Sequence, residues 1–182
     1  MPRKNEPVEI TEIKVGNNAI SLGQSFLANS DWVSDLTFKV RNISAKDIAW
    51  VELQLQFPEV RFNKAIFVQP IRYGQVPDLP EDSRQDEPPV APNETVQMQL
   101  DSDSYGGLKR IVADSGMTLG ITKVRILTSI IIFVDGTSWH LGFFHIRDPN
   151  NPRRWIRISD NISRIKTPYL TVGFFDSTPL VT

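Results

Sequence analysis

The sequence predicts an all-β chain folded as a two-layered antiparallel sandwich of about seven to nine strands, with one short connecting helix. Three observations point to it. Apolar and polar residues alternate with a period of two, as in Leu36-Thr-Phe-Lys-Val-Arg41 and Val51-Glu-Leu-Gln-Leu-Gln-Phe57. Asp135-Gly136 separates the longest apolar stretch from another alternating one, which is the strongest hairpin signal in the chain. Helical spacing occurs once, at Tyr105, Leu108, Ile111 and Val112.

Taken in order, Val8, Ile10 and Ile13 begin a strand that ends at Val15, before a Gly16-Asn17-Asn18 turn. Leu36, Phe38 and Val40 form the inward face of a half-buried strand. Residues Asn42 to Asp47 are polar and turn-like. The strand from Val51 is expected to stop at Pro58, which has no N–H for a ladder. Asn63 to Tyr73 reads as a further strand, bent or placed at an edge by Pro70. Gly74 to Pro92 holds five prolines and the acids Asp78, Glu81, Asp82, Asp86 and Glu87. It is expected to be a long, exposed acidic loop with no packed face.

Alternation resumes from Asn93 to Leu100, with Val96, Met98 and Leu100 inward. The helix is expected over about residues 104–115, with cap candidates in Asp101 to Ser104 and Gly116 as its C′ glycine. Ile121 to Val134 is apolar on both parities towards its end, so it must be a central strand covered on both faces. Its return strand is read as Thr137 to Ile146, with Trp139, Leu141 and Phe143 on one face. A turn-rich stretch, Arg147 to Pro152, leads to Arg153-Arg-Trp-Ile-Arg-Ile158. Residues 159–182 form a C-terminal extension with a strand candidate at Tyr169 to Phe175.

Strand number and spacing are immunoglobulin-like, in a single domain over residues 1–182. A β-barrel is the alternative. A doubly wound α/β fold does not fit one helix among many strands. With no cysteine, the sandwich must hold by packing alone, which a chain of 182 residues can do.

The segment Phe38-Lys-Val-Arg-Asn-Ile-Ser-Ala-Lys-Asp-Ile48 resembles the opening strand-turn-strand of bacterial immunoglobulin-like or fibronectin-type-III-like β-sandwich accessory domains of unknown function. Phe133-Val-Asp-Gly-Thr-Ser-Trp-His-Leu-Gly142, followed by Asp148-Pro-Asn-Asn-Pro-Arg-Arg-Trp155, is similar to bacterial proteins that carry an aromatic, an Asp-Gly-Thr turn, a Trp, a Gly and a Pro-rich exit. Together these pieces cover less than a third of the chain. The resemblance implies a sandwich with an accessory role and carries over no catalytic residues, because such folds host unrelated functions.

Composition excludes several classes. Lys plus Arg number 20 and Asp plus Glu 21, so a whole-surface attraction to nucleic acid or anionic lipid is not expected. The absence of cysteine removes thiol catalysis and Cys-ligated zinc. Two histidines leave little for general-base or metal chemistry. The start, Met1-Pro-Arg-Lys-Asn-Glu-Pro7, lacks an apolar signal core, and the unbroken run Ile130 to Val134 is too short to span a bilayer. The chain is expected to be soluble, either cytoplasmic or exported with its leader removed.

Asp101-Ser-Asp-Ser-Tyr-Gly106 begins like a calcium loop, but Tyr105 and Val112 stand where oxygen ligands belong, so helix capping is the expectation. Asp135, Ser138 and His140 contain the letters of a triad without a nucleophile elbow or an oxyanion loop. His140 and His145 have opposite parity and should not meet if their strand is regular. No catalytic, cofactor-binding or metal-binding residues are therefore expected. Trp139 is expected in the core and Trp50 on the other face of its sheet.

Acids dominate from Asp78 to Asp103, and bases from Arg147 to Lys166. The expected role is a non-catalytic protein-interaction or structural module. It would bind a protein partner through a sheet edge or the region of Arg153, Arg154, Trp155 and Arg157. Self-association is expected if Tyr169 to Phe175 adds to a neighbouring edge. The alternative is a carbohydrate-binding module, which needs at least two exposed, coplanar tryptophans.

Overall fold

A computed structural model of the chain describes residues 5–23, 25–26, 29, 31–62, 65–76, 87–114, 121–158 and 169–171. Alternation sorts their strands into two antiparallel sheets. In the smaller sheet, β1 (Val8–Val15) turns at Gly16, held at φ 56°, into β2 (Asn18–Ile20). The strand β3 (Leu36–Asn42) lies along β1, and β4 (Thr95–Gln99) along β3.

The larger sheet is seven-stranded. Its strands are β5 (Ile48–Phe62), β6 (Ala65–Gly74), β7 (Lys123–Phe133), β8 (Thr137–His140), β9 (Phe143–Asp148), β10 (Asn151–Arg157) and β11 (Tyr169–Thr171). They run in the order β10-β9-β8-β7-β5-β6, and β11 pairs with β7. Neither sheet closes on itself, so the barrel alternative fails. One helix, α1 (Ser102–Asp114), joins the sheets. Among the described residues no helix is long and apolar enough to cross a membrane.

The core lies between the sheets. Leu36, Phe38 and Val40 of β3 meet Val51, Leu53, Leu55 and Phe57 of β5, Ile131 and Phe133 of β7, and Trp139 of β8. All are essentially buried. Trp32 seals one end, donating its indole N–H to the Ile121 carbonyl at 2.9 Å. Leu108 anchors α1, whose N-terminus Asp101 caps by accepting the Ser104 N–H at 2.7 Å. The proposed C′ residue, Gly116, lies outside the described residues.

Three sequence expectations are corrected. The strand from Val51 does not stop at Pro58, because β5 runs on to Phe62. The register shifts between Phe57 and Arg61, and this bulge removes Pro58 from the ladder where its missing N–H would count. The return strand Thr137 to Ile146 is instead two strands, since Leu141 (φ 49°) and Gly142 (φ 105°) make a two-residue turn between β8 and β9. The acidic stretch Gly74 to Pro92 does pack at both described ends. Val76 and Val90 are buried, Val90 exchanges backbone hydrogen bonds with Ile48, and the Glu87 carboxylate accepts the Gly74 N–H at 2.6 Å. Residues 77–86 lie outside the described residues. Gly74 is required where it stands, because at φ 89° a Cβ would run into the Ala49 carbonyl.

Other expectations hold. Pro70 sits on β6, an edge strand, and β7 is central. Its second face is covered by a small cluster of Trp50, Val76 and Ile132, with Ile130 and Trp155 against it.

One buried polar side chain ties the layers. Asn42 donates from Nδ2 to the carbonyls of Lys46 and Val90, both at 2.8 Å. Its Oδ1 accepts from the Ser44 N–H at 2.9 Å and the Ser44 hydroxyl at 2.7 Å. Four bonds thus fix the turn between β3 and β5 and the return of the acidic stretch. Asn42→Ala is expected to lower the unfolding free energy by about 3 kcal/mol, because four hydrogen bonds of a buried side chain are lost, although the Val90 carbonyl still accepts from the Ile48 N–H. A urea titration should show a lower midpoint with an unchanged slope.

Candidate functional site

The turn at Leu141-Gly142 decides which side chains meet. A regular strand would send His140 and His145 to opposite faces. The turn resets the parity, pairing His140 with Phe143 and Ser138 with His145. All four then share the outer face of the large sheet. Trp155 and Arg157 join them, because Trp155 lies opposite Arg147 and Arg157 opposite His145.

The result is an aromatic and cationic face. The imidazoles of His140 and His145 stack with ring centroids 4.4 Å apart, inclined by 28°. Trp155 meets His140 edge-on at 5.3 Å. The Arg147 guanidinium lies 4.4 Å from the Trp155 ring centre, and that of Arg157 3.3 Å from the Phe143 ring centre. Both histidines resist protonation. Burial, with the charge of His145 second, lowers His140 to about 4. Burial also lowers His145, with Arg157 opposing its charge against a favourable backbone hydrogen bond at Phe143. Neutral imidazoles can stack, whereas two charged ones would repel.

The inner face of the same ribbon is apolar. Ile156 lies opposite Ile146, and the Ile158 N–H donates to the Phe144 carbonyl at 2.8 Å. These four side chains therefore form a square that is partly exposed: Phe144 is 37% exposed, Ile146 42%, Ile156 39% and Ile158 43%. The strand β10, which bears Ile156 and ends one residue before Ile158, is the outermost of the sheet among the described residues.

The predicted partner-binding residues are thus partly gathered. Trp155 and Arg157 stand together on the outer face. Arg154 points into solvent, 3.9 Å from Asp148. The side chain of Arg153 lies outside the described residues. Sequence reasoning missed Phe144, Ile146, Ile156 and Ile158, and the pairing of His140 with His145. Gly142 was the available signal, but Leu141 before it is a poor residue for positive φ.

The remaining candidates find other uses. Asp135 accepts from the Thr137 N–H at 2.9 Å and the Lys46 ammonium at 2.7 Å. Burial pushes its carboxyl up, but bonds from Lys46 and Thr137 outweigh this and hold it at about 2. It braces the hairpin turn and does not orient His140. Trp32, Trp50 and Trp139 are buried, and Trp155 is half-buried. The two exposed, coplanar indoles that a sugar platform requires are not there. Tyr169 to Thr171 pairs with Lys123 to Arg125 of its own chain, and the rest of the expected strand, to Phe175, lies outside the described residues. No protein-family model, curated protein or solved structure matches the chain.

A histidine held at about 4, below its ordinary 6.5, makes stability depend on pH. As pH falls through 6.5, the unfolded chain takes up a proton that the folded chain refuses. The contribution of His140 is therefore complete above about 6.5 and is lost progressively down to about 4. An NMR titration of the imidazole signals should place the His140 midpoint near 4. A midpoint near 6.5 would show that the stack is not formed. His140→Phe should flatten the fall in melting temperature over this range.

Proposed function

We propose that this chain is a non-catalytic protein-interaction module of the immunoglobulin-like, fibronectin-type-III-like kind, and that its binding region is the β9–β10 end of the large sheet. Strand order supports the fold type. Read as A, B, C, C′, E, F and G, the strands β1, β3, β5, β6, β4, β7 and β8 place A-B-E in one sheet and G-F-C-C′ in the other. On this reading β9 and β10 are an added hairpin beyond the last strand of the sandwich.

The observation that carries the functional reading is the exposed apolar square on this hairpin. Fully burying an Ile or Phe side chain is worth about 1.5–3 kcal/mol. Covering four that are roughly 40% exposed would recover about 3 kcal/mol before the cost of ordering a partner. Trp155 and the arginines beside it supply the residue types that dominate binding energies at protein interfaces.

Site-specific photo-crosslinking tests the proposal. A benzophenone side chain at position 155 should give a discrete protein adduct in the source cells. The same group at position 11, on the smaller sheet, should not. Equal labelling from both positions, or none from 155, would reject the β9–β10 region as the binding surface.

A further inference from the structure

Resting on that reading, we infer that the outer edge of β10, which pairs with no other strand among the described residues, accepts an extended strand from a protein partner in which acidic residues alternate with apolar ones. Three features of the hairpin define this occupant.

The first is the direction of the open peptide groups. The Ile158 N–H donates to the Phe144 carbonyl of β9. In an antiparallel ladder neighbouring residues turn their peptide groups to opposite sides. Ile156 therefore faces β9 like Ile158, while Trp155 and Arg157 present N–H and C=O to the open edge. An added strand can pair with these groups without disturbing the existing ladder.

The second is the difference between the two faces. A strand beside β10 places alternate side chains on the inner face, next to Ile156 and Ile158, and the rest on the outer face, next to Trp155 and Arg157. The inner positions favour apolar residues, because they extend the exposed square. The outer positions favour acids, because Arg157 has no carboxylate partner among the described residues and Arg147 lies one strand further in.

The third is the charge of the hairpin itself. From Phe143 to Ile158 the sequence holds Arg147, Arg153, Arg154 and Arg157 against Asp148 alone. A second copy of β10 would bring the same charges to the edge, so self-pairing is disfavoured where an acidic strand is favoured.

Fluorescence anisotropy with labelled peptides of about eight residues, near the usual strand length, tests this. An alternating Asp-Val peptide should bind at least about tenfold tighter than alternating Lys-Val or Ser-Val, and added salt should weaken it. Arg157→Gln should weaken binding several-fold while leaving the edge N–H in place. Methylating the backbone nitrogens on one edge of the Asp-Val peptide should abolish binding with the protein unchanged, so the result does not depend on a variant that folds.

Equal binding of all three peptides would overturn the acidic requirement and leave the edge as a general strand acceptor. Failure of all three, with the position 155 adduct still formed, would overturn the inference and spare the interaction reading. Failure of both would remove the two together. Equal binding of an oligothymidylate of matching charge, or a concentration-dependent dimer through β10, would also overturn it.

Discussion

The structure depends on a mismatch in width between two sheets that must cover each other. A sheet with an apolar face is stable only if a second layer excludes water from it. The smaller sheet has four strands and the larger seven. Over β5, β7 and β8 the apposition is complete, and Leu53, Ile131 and Trp139 are fully buried. Beyond β8 the large sheet continues into β9 and β10, where the inward side chains remain partly in water. The apolar square is the continuation of the core face past the point where its cover ends.

A two-residue turn determines what lies on the other side of that overhang. Had the chain continued straight through Leu141 and Gly142, Phe143 would have stayed beside Trp139 on the core side and the histidines would have been separated. Turning there costs backbone strain at Leu141, a non-glycine residue at positive φ. It brings His140, His145, Trp155 and Arg157 onto one face. Packing with Trp50, Val76 and Ile132 then makes this face a second, smaller core. The hairpin is therefore anchored from its outer side, which keeps its edge and inner face in place though no strand among the described residues lies opposite them.

Much of the sandwich was legible in the sequence because its strands obey the simple period. Leu36 to Val40 and Val51 to Phe57 alternate without exception, and Asp135-Gly136 is the residue pair that a tight turn requires. The apolar segment ending at Phe133 could only be a strand covered on both faces, and Trp50 with Val76 provides the outer cover. What escaped were places where tertiary context overrides local preference. Pro58 continues a strand by means of a bulge, and Leu141 accepts a conformation that Asn or Gly would adopt more readily. The candidate site was half visible: the run Arg153 to Arg157 marked the cationic edge, but its apolar reverse side appears only once the parity change at Leu141-Gly142 is known.

Backbone amide hydrogen exchange along β10 tests the free edge most directly. The account predicts alternation: the amides of Ile156 and Ile158, directed at β9, exchange slowly, while those of Trp155 and Arg157 exchange at rates close to those of an open chain. Slow exchange at Trp155 and Arg157 would show that the edge of the sheet is already paired, and would contradict an overhanging strand left open for a partner.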